Sequence, residues 1–165
     1  VEAELILCEL QGPIGAERSK ELYKKALPLN NKAYELIKEE LFPDKELSQW
    51  KYNQWSLLRR TLSMRRALLR VLCEKELLMK TATELEQFID KHKEQDDLSV
   101  QKCLKNLSLT VALMRAEYLH LNGKQITMQL KALFREAYGN GRLYNASLRE
   151  DALLYLGPHQ AVGSK

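Results

Sequence analysis

The sequence predicts an all-α fold, an elongated bundle of five to seven helices around a long antiparallel helical hairpin. Three observations support this prediction. The chain has 165 residues, of which 45% are hydrophobic and 29% charged, a composition typical of a globular domain. Residues 44–122 contain neither Gly nor Pro, the residues that most often interrupt a helix. No segment shows the sustained alternation of apolar and polar residues that is typical of a strand.

Proline divides residues 1–43 into short segments. Pro13, Pro28 and Pro43 are evenly spaced, and a proline inside a helix removes a backbone hydrogen bond and crowds the preceding turn. We therefore predict three short helices, over residues 2–10, 16–27 and 31–42. Asn30 is the expected N-cap of the third helix because its side-chain oxygen can accept a bond from a free backbone N–H.

Residues 44–93 are predicted to form one long helix, about 75 Å in length if it is continuous. Apolar residues recur at every seventh position, which is typical of a helix that pairs with another. An alternative is a break at residues 81–83, where Thr81 and Thr83 each begin a capping-box pattern. The seven-residue track consists of Trp50, Leu57, Met64, Val71, Leu78 and Leu85.

Residues 97–122 are predicted to form the antiparallel partner of this long helix. The polar segment 92–97 is short enough to join neighbouring antiparallel helices, and Asp97 or Asp96 can cap the second one. Apolar residues in this segment alternate regularly between spacings of four and three, the strongest periodic signal in the chain. The predicted seam consists of Val100, Leu104, Leu107, Val111, Met114, Tyr118 and Leu121.

Short helices are predicted over residues 125–157, separated by a glycine-rich turn at 139–141 and ended by Gly157 and Pro158. Residues 161–165 are expected to form an unstructured end. We predict a single helical domain over residues 1–160. Since the first residue is Val1, we expect the chain to be part of a larger protein.

The net charge of +4 is unevenly distributed. Residues 51–80 hold eight bases and two acids, whereas residues 81–99 hold six acids and two bases. At about 100° per residue, one stripe of the long helix combines basic and aromatic side chains. Arg, Trp and Tyr are the residue types most enriched at protein-binding hot spots. The predicted partner-binding residues are Tyr52, Trp55, Arg59, Arg66 and Arg70.

These residues predict a protein–protein interaction module, such as a scaffold, an adaptor or a complex-assembly subunit, whose partner presents an acidic surface or peptide. A second hypothesis is binding to an anionic membrane or to a microtubule. An ordinary solvated helix face would show the same charges. A calmodulin target, with Trp55, Leu62 and Leu68 as anchors, and a phosphate-backbone binder are weaker alternatives. Nucleic acid is not the expected partner, and self-association of the chain through the seam remains open.

Ser63 is a candidate phosphorylation site because it follows Arg59 and Arg60 and lies on the same stripe. A phosphate there would place about two negative charges within the basic residues and would be expected to weaken binding. The alternative is an ordinary helical serine that is never modified.

No arrangement of residues indicates catalysis, a cofactor or a metal. The three histidines are scattered, without the pair four residues apart that a helical metal site uses. Cys8, Cys73 and Cys103 are odd in number and widely spaced, which argues against a disulfide framework. We therefore expect a non-enzymatic protein of a reducing intracellular compartment, the cytoplasm.

Overall fold

The computed structural model describes residues 13–43, 46–50 and 52–163, with the backbone alone at 13–17, 48 and 158–163. Within these residues the chain is all-helical, and the prediction of five to seven helices is confirmed. The predicted helix over 2–10 lies outside the described residues. The α-helices are α1 Pro13–Glu40, α2 Tyr52–Val71, α3 Lys75–Lys91, α4 Leu98–Leu121, α5 Met128–Gly139 and α6 Ala146–Gly163, and Leu47–Gln49 form a 3-10 helix.

Helix α1 continues through Pro28, so the prediction of separate helices over 16–27 and 31–42 is wrong. Asn30 is correspondingly not an N-cap. Its amide is buried and donates to the backbone oxygen of Thr61 in α2, at 3.1 Å. Packing of α1 against α2 thus stabilises one long helix despite the hydrogen bond that proline removes.

The predicted long helix over 44–93 is interrupted at residues 72–74, between α2 and α3. The backbone N–H of Glu74 donates to the Leu69 oxygen and that of Cys73 to the Arg70 oxygen, the two bonds of a Schellman helix end. Cys73 has a φ of 55°, the left-handed conformation that this position usually gives to glycine. The sequence signal for a break at 81–83 is not used, since α3 runs through those residues.

Helix α4 agrees with the predicted helix over 97–122, and the Asp97 side chain caps it by accepting from the N–H of Val100 at 3.1 Å. The first five residues of the predicted seam are buried, from Val100 to Met114, while Tyr118 and Leu121 are half-buried. Further buried residues lie on the remaining sides of α4. Helix α4 is therefore buried on more than one of its faces.

Helices α5 and α6 pack on α4 through an apolar core that includes Leu113, Phe134 and Ala152. Thr127 caps α5 by accepting from the N–H of Leu130 at 3.2 Å. Gly157 departs from helical geometry, with a φ of 77°, which kinks α6 where the sequence predicted its end. The backbone is nevertheless helical up to Gly163, in contrast to the unstructured end predicted for 161–165, of which residues 164–165 lie outside the described part.

The contacts group the chain into two compact units. Unit 1 comprises residues 1–44 and 52–75 and contains α1 and α2. Unit 2 comprises residues 45–51 and 76–165 and contains the 3-10 helix and α3 to α6. Within unit 2, Trp50 stacks on Phe88, and Arg115 of α4 forms an ion pair with Glu86 of α3 at 2.6 Å. The prediction of a single domain over 1–160 stays a prediction.

Candidate functional site

The predicted partner-binding residues all belong to α2. One side of this helix is buried and packs within unit 1. Four apolar side chains of α2 are almost fully buried, with exposed fractions of 1% or less. At about 100° per residue they fall within about 120° of the helix circumference, on one face. These residues are Leu58, Leu62, Leu68 and Leu69.

Arg65 fixes α2 to α1 with a buried polar cluster. Its Nη1 donates to the side-chain oxygens of Asn30, at 3.1 Å, and Asn31, at 2.7 Å. Its guanidinium also lies over the ring of Tyr34, 4.6 Å from the centroid, and Lys38 lies 5.1 Å from the same centroid. Because a planar guanidinium can bond two amides and stack on a ring at once, Arg65 holds the two helices in one register.

Arg66 is also buried, with an exposed fraction of 7%, so its assignment to an exposed stripe is wrong. Its position lies about 40° from Leu62 and about 60° from Leu69 round the helix, at the margin of the buried face. A long side chain at such a margin can fold its apolar stem onto the neighbouring surface. Arg66 is therefore part of the interior of the protein and is not available to a partner at the surface.

The other predicted residues are accessible to different degrees. Tyr52 is 79% exposed, and Arg59 and Arg70 are exposed as well. Trp55 is half-buried. At about 100° per residue, Tyr52, Arg59 and Arg70 fall within one narrow stripe, and we call these three residues with Trp55 the basic face.

Arg60 is an exposed arginine that does not belong to the predicted partner-binding residues. It follows Arg59 directly and so lies about 100° further round α2. The signal that could have found it is the composition of the helix, because α2 contains five arginines and no acid. The structure divides these five into two buried residues, Arg65 and Arg66, and three exposed ones.

Ser63 is exposed and lies on the same side of α2 as Arg59 and Arg70, as the sequence predicted.

The structure does not favour the calmodulin-target alternative, because the proposed anchor residues are not free to bind. Two of its three anchors, Leu62 and Leu68, are buried at 1% and 0% exposure. Calmodulin-type binding would therefore require α2 to leave its core.

Burial perturbs the pKa values of three titratable groups among the described residues. Burial raises the pKa of the Cys103 thiol in α4 and that of Tyr144 before α6. Burial also lowers the pKa of His92, and the neighbouring charge of Lys91 lowers it further. Among the described residues, no group of three or more His, Cys, Asp or Glu side chains is placed to hold a metal ion.

None of the helices in the described part of the chain combines the length and the apolar character needed to cross a bilayer.

The α2 surface is the candidate site. Of its five predicted residues, three are exposed, one is half-buried and one is buried. The chain matches no protein-family model, no curated protein and no solved structure.

Proposed function

We propose that this chain is a protein–protein interaction module and that the basic face of α2 binds an acidic surface or peptide of its partner. The observation that carries the proposal is the exposed side of α2, where Arg59 and Arg70 accompany Tyr52 on a helix that has no acidic residue. No acid of the same helix neutralises these arginines. An acidic partner can therefore form charge-assisted hydrogen bonds with them.

Tyr52 favours a protein partner over a plain anionic surface. Its ring is 79% exposed at the first residue of α2, and burying an aromatic ring supplies contact area with little loss of side-chain entropy. The half-buried Trp55 lies close to the same stripe and can extend that contact. Aromatic and arginine side chains together are typical of binding hot spots.

The rigid attachment of α2 supports this role. Arg65, Asn30 and Asn31 form a buried network that fixes the rotation of α2 about its own axis. A binding face that is held in place loses less conformational entropy when the partner arrives. The buried Arg65 thus holds the exposed arginines of α2 in a fixed orientation for binding.

The test is a charge reversal at the surface of α2 in the full chain. Arg59→Glu/Arg70→Glu is compared with Lys102→Glu/Lys105→Glu, two exposed lysines of α4 whose reversal changes the net charge equally. Both variants and the wild type serve as immobilised baits, and captured proteins are quantified by mass spectrometry. Captured partners are then purified and their affinities measured at about 0.05 and 0.3 M salt.

We expect the α2 variant to lose a set of acidic proteins that the α4 variant retains, with a loss in affinity of about tenfold or more for the purified partners. Equal capture by all three baits would contradict the proposal. Co-sedimentation with phosphatidylserine vesicles and with microtubules forms a further arm. Binding there that depends on Arg59 and Arg70, without a captured protein, would assign the basic face to an anionic surface instead.

A further inference from the structure

Unit 1 has a second exposed surface, and it is apolar. Of the seven large hydrophobic residues that the described part of the chain exposes, three belong to α1 and to one flank of α2: Leu29 at 64%, Leu36 at 50% and Leu57 at 52%. Each belongs to a row with a spacing of seven residues. The row on α1 is Leu22, Leu29 and Leu36, and the row on α2 is Leu57, Met64 and Val71.

Both rows lie on the same side of the helix pair. Each row is about 90° round its own helix from the residues that face the other helix, in the same rotational sense. Helices α1 and α2 pack together. The 11-residue connection between them includes a turn at 41–43 and the 3-10 helix, so it is too short to run back along α2, and the helices are antiparallel. The same rotation in two antiparallel helices leads to the same side of the pair.

The two rows also lie at matching heights. Asn30 bonds the Thr61 oxygen and the Arg65 side chain, which places it level with residue 63 of α2. Stepping along antiparallel helices from this point brings Leu29 level with Met64 and Leu36 level with Leu57. The rows therefore form one apolar surface of about 21 Å in length, which we call the leucine face.

The margins of the leucine face are basic. Arg18, Lys25 and Lys32 are exposed and lie one turn from leucines of the α1 row, and Arg60 is exposed one turn from Leu57. Acidic residues of α1 reach this surface at few points. Glu21 forms an ion pair with Lys24 at 3.2 Å, and the exposed Glu39 and Glu40 lie one turn beyond Leu36 at one end.

We propose that the leucine face binds an amphipathic helix of another protein, with apolar residues packed between the two rows and acidic residues along its edges. A helix of about 14 residues matches the length of the rows, and a groove between two antiparallel helices is a common receptor for such a helix. Met64, near the middle, can adapt its flexible side chain to the ligand. The site is distinct from the basic face of α2 and does not rest on the function proposed for it.

The basic margins favour this ligand over a second copy of the chain. Two leucine faces brought together would place Lys25, Lys32 and Arg60 of each copy near like charges, which opposes association. The acidic segment 2–10 of the chain itself is the alternative ligand that a truncated chain tests.

The experiment measures binding of a fluorescent synthetic peptide of about 16 residues, built as a helix with Leu on one side and Glu along both edges. A second peptide carries Lys in place of Glu. The full chain is compared with Leu36→Gln/Leu57→Gln and with the matched control Leu98→Gln/Leu154→Gln, whose leucines are exposed in unit 2 at 80% and 77%. Circular dichroism verifies that each variant is folded, which is expected because all four leucines are at the surface.

We expect saturable binding of the Glu peptide, weakened about tenfold or more in Leu36→Gln/Leu57→Gln and unchanged in the control. The Lys peptide should bind at least about tenfold more weakly because the margins repel it. Absence of saturable binding, or equal loss in both leucine variants, would overturn the proposal. Loss in Arg59→Glu/Arg70→Glu alone would show that the peptide binds the basic face.

Two further outcomes identify another ligand and also overturn the proposal. A wild-type dimer in light scattering that Leu36→Gln/Leu57→Gln converts to a monomer would assign the leucine face to a second copy. Markedly tighter peptide binding by a chain that lacks residues 1–12 would show that the N-terminal segment already occupies it. An unchanged affinity and a monomeric wild type agree with a ligand from another protein.

Discussion

Arg65 in unit 1 and His92 in unit 2 are both buried bases, but their surroundings differ in the hydrogen-bond acceptors available to the charged form. Arg65 donates to Asn30 and Asn31 and lies over the Tyr34 ring. His92 lies against the Phe88 ring at 4.8 Å, and its buried Nε2 has no hydrogen-bond partner within the described residues. The protein thus stabilises a permanent charge with polar acceptors, whereas burial disfavours the charged form of His92.

This contrast extends to the two cores. The interface of α1 and α2 includes polar side chains that bond across it, among them Asn30 and Arg65. The core shared by α4, α5 and α6 is built mainly of aliphatic and aromatic residues, with Phe134 fully buried, and α4 adds the buried polar residues Asn106, Thr110 and Glu117. Hydrogen-bond geometry is directional, whereas apolar packing tolerates exchange of similar residues. Unit 1 should therefore depend on single polar residues more than unit 2 does.

The largest effect is expected for Arg65→Ala. The substitution leaves the buried side-chain oxygen of Asn30 and the half-buried one of Asn31 without this donor and removes the guanidinium that lies over the Tyr34 ring. We expect the free energy of unfolding to fall by about 3 kcal/mol. Chemical denaturation measures the loss, and hydrogen exchange should show it first in α1 and α2.

The matched control is Arg60→Ala, because Arg60 is exposed on the same helix. Its effect should stay within about 0.5 kcal/mol. Similar losses for the two alanine variants would show that α2 is stabilised by arginine in general, for example through helix propensity, and that the buried network is not special.

Asn106→Ala is expected to have the next largest effect, and it tests whether unit 2 also depends on a single polar residue. The Asn106 amide donates to the backbone oxygens of Lys102 and Leu143, at 2.9 and 3.0 Å, and its oxygen accepts from the N–H of Asn145 at 2.8 Å. It thereby anchors the connection between α5 and α6 to α4. Loss of these bonds should cost about 2 kcal/mol.

Gln129→Ala is the control for an amide at the surface, since Gln129 is exposed in α5. If Asn106→Ala proved as mild as this control in thermal denaturation, the connection would be held by apolar packing alone. If it exceeded Arg65→Ala, the contrast between a polar unit 1 and an apolar unit 2 would be wrong.

The fold was largely predictable because its main signals are local. The spacing of apolar residues from Val100 to Met114 and the cap at Asp97 predicted α4 correctly. Pro28 misled the prediction because a local rule is overridden by contacts with residues 61 and 65, more than 30 positions away. The helix end at Cys73 was missed because the residue in the left-handed position is not glycine.

The candidate site was predictable only in part for the same physical reason. Helical periodicity places Arg59, Arg66 and Arg70 on one stripe, but it cannot show how far a neighbouring helix covers that stripe. Arg66 lies under such cover, whereas Arg59 does not. The leucine face was hidden for a related reason. Leu57, Met64 and Val71 were interpreted as a buried seam, and Leu57 is half exposed.

The smallest effect is expected from His92 and appears as a dependence of stability on pH. Burial, followed by the charge of Lys91, lowers the pKa of folded His92 below the value of 6.5 that it has when unfolded. Between these two pKa values the unfolded chain binds more protons than the folded chain, so stability rises with pH across that window. The contribution is complete above the unfolded pKa and is lost as the pH falls toward the folded one.

Urea denaturation between about pH 7.5 and pH 5.5 measures this dependence, and His92→Gln should flatten it relative to the wild type. His120→Gln is the matched control, because His120 is exposed at the end of α4. Since Nε2 of His92 has no partner to lose within the described residues, the substitution should cost less at neutral pH than Arg65→Ala or Asn106→Ala. A slope that persists in His92→Gln would assign the pH dependence to other groups and remove His92 from the comparison.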